Sequence, residues 1–512
     1  MRRTTLAAAL AALAAFATGL EPRAGDVYGP EPSAVPSPVE THALELSRAR
    51  LARRGGGPRT SPALVVAARE LAALAASGEA DPISPRRVRG ALARALGYDA
   101  APAAVLVAAA PEEAARAVAR ALPRDRASHV GAGAVERDGR TWIVLLLTER
   151  KVRLDPFPRE VAPRAHAVLA GTLSAPLGRP RVFITGPSGE ASEAPNAGGA
   201  GGRGFRVPVE FPSAGRYVVE IVAEGDGGPE VAAILTVSAG GAPLDPPRAP
   251  ARRPDPEDRT AAERAVVDAL NATRRRHGLA PVTSVPEIAE VSRRHSEAMA
   301  AAGRVAHLVA GSGEVGERLR RAGVPYHRAF ENVARAATAL EGHAEAEESP
   351  AHLANVLRRE PTRVGVGIAR ARLASGDPTV YLTETFVEPP DDGAESRLTP
   401  DARIREALWR ERARVGLRPL TSDPALDALA RDAAEAMRAR DETDADGLGD
   451  RALALRRSIA AVDVFVASAP DEAVRSSNLR DHRFARVGVG VASGGSRRFG
   501  KGRLWIAVVY TD

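Results

Sequence analysis

Three observations predict an α+β chain built from repeated helix-then-strand modules and interrupted by one all-β sandwich. Helical patterns followed by closing strands occur three times, at 41–157, 261–388 and 401–512. Their register is shared. Arg50, Arg274 and Arg412 each stand twelve residues before Pro62, Pro286 and Pro424, and the closing strands open with Val130-Gly131-Ala132-Gly133, Val364-Gly365-Val366-Gly367 and Val487-Gly488-Val489-Gly490. That is the pattern of one supersecondary unit used repeatedly. Between the first two modules, residues 164–240 change to short β-like runs separated by turn residues, the signature of a small antiparallel sandwich.

The 512 residues are enough for several domains that each bury a core. Aromatic residues are only 4% of the chain, so the cores must be built from Ala, Val and Leu. The formal charge is +7, yet Lys occurs only at 151 and 501 and the arginines are spread among Asp and Glu. A basic stripe with interleaved aromatics, as single-stranded nucleic acid requires, is missing, so no nucleic-acid partner is expected. The chain has no cysteine, which excludes a disulfide framework, thiolate metal ligands and a cysteine nucleophile.

Residues 1–19 have the build of a secretory signal peptide: Arg2-Arg3, an apolar run from Leu6 to Phe16, and the small-residue end Ala15-Phe16-Ala17. The run is too short for a comfortable membrane span, and no later segment is apolar enough for one. A secreted or periplasmic protein, without an integral membrane segment after signal removal, is therefore expected. Residues 20–40, with five prolines, read as an extended tether.

The first module, 41–157, begins with the helical patterns ALELSRARLARR, SPALVVAARELAALAASG and PEEAARAVARAL. It closes with two strands around Asp138-Gly139, a hairpin by its turn chemistry. The β region at 164–240 contains AHAVLAGTL, RVFITGP, FRVPVEF, GRYVVEIVA and VAAILTVSA. Its stretch 189–204 reads as a flexible loop, and it resembles immunoglobulin-like domains in outline, without their cysteines. Residues 241–260 form a Pro-rich linker, 261–388 the second module, 389–400 another linker, and 401–512 the third module, closing with RVGVGVAS and RLWIAVVY.

Functionally suggestive polar residues concentrate in the second module. They are His307 in RVAHLV, Glu331 in AFENVA and His352 in SPAHLANVL. Each has an ordinary alternative: a loop histidine, a turn-capping carboxylate, a hydrogen-bonded packing histidine. Ser349 reads as an N-cap before a helix starting at Pro350, rather than as a nucleophile. His343, with Glu341, Glu345, Glu347 and Glu348, reads as a solvated helix face, with Glu347 or Glu348 the possible fourth member of a site. His277, His295 and His327 read as surface groups. The VGVG run sits inside a strand rather than before a helix, which makes it a weak phosphate loop.

The second module resembles the CAP, or SCP-like, superfamily of cysteine-rich secretory proteins, pathogenesis-related proteins and bacterial secreted relatives. The resemblance covers roughly 262–388. It rests on ALNATRRRHGL, HSEAMAAAGRVAH, ERLRRAGV, ENVA, SPAHLANVL, RVGVGIA and YLTETF, in that order. The flanking modules match in scaffold only and are identified as degenerate copies. The resemblance implies an α/β/α sandwich with a cavity where two histidines meet acidic residues, able in several members to hold a divalent metal. Motif by motif, His307, Glu331 and His352 take those places, while Asn332 and Asn355 match structural asparagines. Departures are Phe330 for the glycine before Glu-Asn, Ala346 for a Trp, Ala351 for the glycine before the histidine, Leu353 for an Arg, and Tyr381-Leu382-Thr383-Glu384 for Tyr-Trp-Thr-Gln.

Imidazoles bind Zn²⁺ well, and a carboxylate completes the shell or fixes a tautomer. His307 and His352 are thus the expected ligands of Zn²⁺ or another divalent ion. The leading expectation is binding of a lipid, glycan or protein ligand of the envelope or extracellular space through a cavity of the second module formed by His307, Glu331 and His352. The alternative is a metal-dependent hydrolase with Glu331 as general base.

Overall fold

The computed structural model of the chain describes residues 27–52, 56–123, 126–195, 202–245, 254–373, 376–390, 399–455, 457–467, 470–476 and 478–512. The expected signal peptide and the core of each expected linker, 246–253 and 391–398, lie outside the described residues, as does the middle of the expected loop at 189–204. Two compact units are present: one comprises Met1–Pro250 with Ser349–Ala354, the other Ala251–Glu348 with Asn355–Asp512.

In the first unit, helix Pro38–Leu51 starts at a capping box. Ser37 Oγ accepts from the Glu40 amide while Glu40 Oε2 accepts from the Ser37 amide, which satisfies two of the donors a helix start leaves over. Strands His129–Arg137 and Arg140–Thr148 form the expected hairpin, with Asp138 at φ 55° and Gly139 at φ 71°, the two left-handed positions of a two-residue turn. Ala103–Ala109 forms a third long strand that the sequence pattern does not predict. Its Ala-rich run AAVLVAA carries no period that separates strand from helix.

The all-β part packs a five-stranded sheet against a three-stranded one over a shared core that includes Leu169, Val207, Phe211, Val219, Ile221 and Leu235. Residues read as tether take part in this core. Val27–Tyr28 pairs with Phe157–Pro158, and Tyr28 is fully buried with its hydroxyl donating to the Thr236 carbonyl at 2.7 Å. The Tyr28 ring, together with Glu31, which pairs with Arg150 and accepts from Ser61, and the Val35 carbonyl, which accepts from Arg69, fixes a segment whose composition reads as extended.

Three four-stranded sheets share one topology. A two-residue strand runs parallel to the VGVG-type strand, which pairs antiparallel with the last strand of its module, which in turn pairs with an edge strand. In the second module these are Thr283–Ser284, Arg363–Arg372, Pro378–Glu388 and Arg328–Ala336. Helix Pro286–Ala302 covers one face. Helices Arg259–Arg276 and Ala339–Glu347 cover the other, giving three layers.

The paired glycines explain how closely these layers approach. A Cβ on Gly367 would lie 2.0 Å from the Arg293 amide nitrogen, and one on Gly365 2.2 Å from the Ile288 carbonyl carbon. Gly131 and Gly133 meet Leu64 and Ala68 in the same way, and Gly488 and Gly490 meet Leu426 and Ala430. The VGVG strand is therefore where a helix backbone rests directly on a sheet.

A second shared feature is a buried guanidinium. Arg274 Nε donates to the Ala280 carbonyl, and its Nη1 to those of Val356 and Arg358. Arg412 Nε donates to the Arg418 carbonyl, and its Nη1 to those of Leu479 and Asp481. Arg50 shares their sequence register but is exposed near the end of its helix.

Candidate functional site

Strand pairing sorts the polar residues of the second module onto two faces. Glu331 lies opposite Thr385, which lies opposite Gly365. Directly opposed residues share a face, so Glu331 points to the side covered by helix Pro286–Ala302. Its neighbour Asn332, opposite Glu384, points to the other side.

On the first face Glu331 is buried and both its oxygens are engaged. Oε1 lies 2.9 Å from His307 Nδ1, and Oε2 accepts from Arg318 Nη2. Arg318, itself 7% exposed, also uses Nη1 on the carbonyls of His307 (3.2 Å) and Gly313 and on Ser312 Oγ. Burial alone would push the Glu331 carboxyl up. The His307 hydrogen bond and the Arg318 charge outweigh it and hold the group at about 2.

His295 completes this face. Spacing from Ile288 through Val291 and Ser292 to Met299 puts it on the buried stripe of its helix, and it is fully buried. Its Nε2 faces the Ala306 carbonyl at 3.1 Å, an acceptor, so Nε2 carries the proton. Nδ1 therefore accepts from Ser312 Oγ at 2.8 Å. Burial pushes this imidazole down to about 4, which keeps it neutral. His295 and Arg318 thus tie both sides of the loop that carries His307. Glu331 in turn fixes the His307 tautomer with the proton on Nδ1, which leaves Nε2 as the ring nitrogen that Glu331 does not engage, on a half-buried side chain.

The second face carries a separate buried network. His343 Nδ1 lies 2.7 Å from Glu384 Oε1, and its Nε2 3.1 Å from Glu347 Oε1. Asn332 Nδ2 donates to Glu384 Oε2 at 3.0 Å, Asn355 Nδ2 donates to Asn332 Oδ1, and Thr273 donates to Glu347. Burial opposes the charged imidazole, but the Glu384 and Glu347 carboxylates raise it to about 10.

Several expectations change. His343 is 2% exposed rather than on a solvated face, because Ala339, Gly342 and Ala346 make its stripe small instead of visibly apolar. His295 is a buried member of the Glu331 cluster, not a surface group. Of the other two, His327 is exposed and His277 half-buried. Glu347 belongs to the His343 network on the face opposite Glu331, and Glu348 is the half-buried C-cap of helix Ala339–Glu347. Arg318 and Glu384 were not anticipated as site groups. Glu384, standing where the resemblance leads one to expect Gln, was the available signal.

His352 lies half-buried on helix Pro350–Val356, in the segment that belongs to the first unit. There Ser349 Oγ accepts from the His352 amide at 3.4 Å. It also donates to the fully buried Glu220, whose Oε2 takes the Ala351 amide at 2.7 Å as well.

A divalent cation needs several unencumbered donors, and this cluster does not supply them. Both Glu331 oxygens are already engaged, His295 uses both nitrogens, and His307 offers Nε2 alone. Among the described residues no group of three or more His, Cys, Asp or Glu side chains is arranged to hold a metal ion. The residues of this face do not fit the metal that the resemblance implies. Clefts of about 300 and 290 Å³ lie elsewhere, one beside Asp432, Arg440 and Asp444 and one beside Val39, Leu46 and Ile143.

With this geometry in hand, the class is clear: the second module is a CAP module. Residues 267–386 match the family described as CAP, the cysteine-rich secretory protein family, a match spanning less than half the chain. Similar solved structures include an extracellular SCP-domain protein of Bacillus anthracis, at 16% identity and TM-score 0.23, covering 50% of this chain and 67% of that one. Others are an outer surface protein of Borrelia burgdorferi (10% identity, TM-score 0.22, 25% of this chain and 92% of that one) and a cysteine-rich secretory protein of Staphylococcus aureus (14%, 0.21, 47% and 83%). No curated protein matches the chain. No helix among the described residues is long and apolar enough to cross a membrane.

Proposed function

We propose that the chain is an exported protein whose CAP module binds a lipid, glycan or protein ligand of the envelope or extracellular space at the surface around His307. The observation that carries this reading is the state of Glu331. A carboxylate held at about 2, with both oxygens engaged, is a poor general base. This disfavours the alternative of a hydrolase with His307 and His352 as metal ligands. Orientation of one imidazole by a buried anion instead supports recognition by a preset donor or acceptor.

The flanking modules are read as copies of the same scaffold without the polar cluster. Aligning Gly131, Gly365 and Gly488 carries Glu331 onto Ala104 and Val462 through the strand pairing. Aligning the helix prolines carries His295 onto Leu71 and Ala433. Those four side chains belong to, or pack against, apolar cores. The β region is read as an immunoglobulin-like insert, and residues 1–19 as the export signal.

The test is co-sedimentation of the full chain with isolated cell-wall sacculi and, separately, with anionic and zwitterionic vesicles. Binding to one of these, lost in His307→Ala and retained in His327→Ala, is expected. Equal binding by His307→Ala, or ester or peptide hydrolysis abolished by Glu331→Gln, overturns the reading.

A further inference from the structure

We infer that Arg318 is the built-in counter-cation of the His307–Glu331 centre, and that its guanidinium makes this CAP module independent of divalent metal. In a metal site of carboxylate and imidazole, the carboxylate either binds the ion or lends negative charge to the ligating ring through a hydrogen bond. Here Glu331 makes that hydrogen bond to His307 Nδ1, but a guanidinium already takes its charge.

The guanidinium is not a surface group that can swing away. Arg318 is 7% exposed, and besides Glu331 it is fixed by the His307 and Gly313 carbonyls and by Ser312 Oγ. An approaching dication would meet a neutral ion pair behind the imidazole instead of a bare carboxylate, with a fixed positive charge a few ångströms away. A fixed like charge in a partly buried site is weakly screened, and its repulsion opposes binding of a dication at a single imidazole. The same contacts explain why Glu331 tolerates burial: the ionised carboxyl is compensated from within the chain. The inference does not depend on what the module binds.

The test uses the metal-stripped full chain, titrated with Zn²⁺ by isothermal calorimetry, with zinc content measured after dialysis. The wild type and His307→Ala are expected to give the same isotherm, since other histidines and carboxylates contribute equally to both. Arg318→Met, which keeps the apolar stem, removes the charge and frees Glu331 Oε2 to join His307 as a second donor, is expected to gain one site at least tenfold tighter than any in the wild type, and that site should vanish in Arg318→Met/His307→Ala. Should Arg318→Met fail to fold, Arg318→Gln, which keeps hydrogen bonds to the same acceptors, carries the same expectation. One zinc per wild-type chain that His307→Ala removes overturns the inference. So does a folded, charge-free variant that binds zinc no better than the wild type.

Discussion

Replacing Glu331 with Gln tests the proposed role of this residue directly. The substitution preserves shape and one acceptor oxygen but takes from Arg318 the carboxylate it pairs with, at 7% exposure. Breaking a buried pair by removing one member typically costs about 3–5 kcal/mol. Here the remaining acceptors of Arg318 place the cost at the lower end. A second route gives a similar figure. Burial raises the Glu331 carboxyl, His307 and Arg318 lower it, and the net fall from 4.5 to about 2 corresponds to about 3 kcal/mol at roughly 1.36 kcal/mol per unit. Because the folded value is depressed, this stabilisation is complete above pH 4.5 and is lost as pH falls through about 2.

In a multidomain chain a single melting temperature does not isolate one module, so the assay is native-state hydrogen exchange at pH 7, followed on the amides of Arg328–Ala336. Glu331→Gln should weaken protection there by roughly a hundredfold, the equivalent of about 3 kcal/mol. Protection unchanged within a factor of three would refute the account of Glu331 as a structural anion, most forcefully if a catalytic activity disappeared at the same time.

Other outcomes follow from the same geometry. Gly367→Ala drives a methyl to 2.0 Å from the Arg293 amide nitrogen and threatens the Ser296 hydrogen bond to the Gly367 carbonyl. It should lower stability by about 3 kcal/mol, and a folded variant that matches wild-type exchange across Pro286–Ala302 would contradict it. For His343 the folded value is raised, so its contribution is complete below pH 6.5 and lost as pH rises through about 10. Glu384→Gln should flatten the decline in hydrogen-exchange protection of the Pro378–Glu388 amides between those limits, after correction for intrinsic exchange rates, and an unchanged slope would count against the network. Glu220 is pushed up from 4.5 to about 7 by burial, so the folded state favours its protonated form and the wild type loses stability as pH rises through that window. Glu220→Gln should therefore gain on the wild type between pH 4.5 and 8, by up to about 3 kcal/mol, as read by denaturation at the two limits; a constant difference would exclude the effect.

The scaffold was largely legible because its signals are local or periodic. The glycine pairs, the Asp138-Gly139 turn and, in the second and third modules, the arginine twelve residues before the helix proline each report a backbone requirement that few residues satisfy. The pairing of His307 with Glu331 followed from motif order, although nothing in their separation of twenty-four residues dictates contact. What stayed hidden depends on tertiary burial. Arg318 sits on the seven-residue helix Val315–Arg321, too short for a periodic pattern to single out its buried face. His343 sits on a stripe of small residues, where burial comes from close helix–sheet approach and not from bulk apolar side chains. His295 was more accessible to reasoning, since Ile288, Val291 and Met299 mark its face; a histidine on such a stripe needs inward partners.

The arginine-rich composition can pass for coding bias, but at two positions the choice of base is chemical. Arg274 and Arg412 each reach three or more main-chain carbonyls, from a helix end to a distant turn, at side chains only 2% exposed. A planar fork reaches all of them at once. An ammonium group presents its donors from a single point and cannot span that spread. Lysine at either position would leave oxygens stranded, so each guanidinium acts as a non-covalent staple in a protein that has no cysteine with which to make a covalent one.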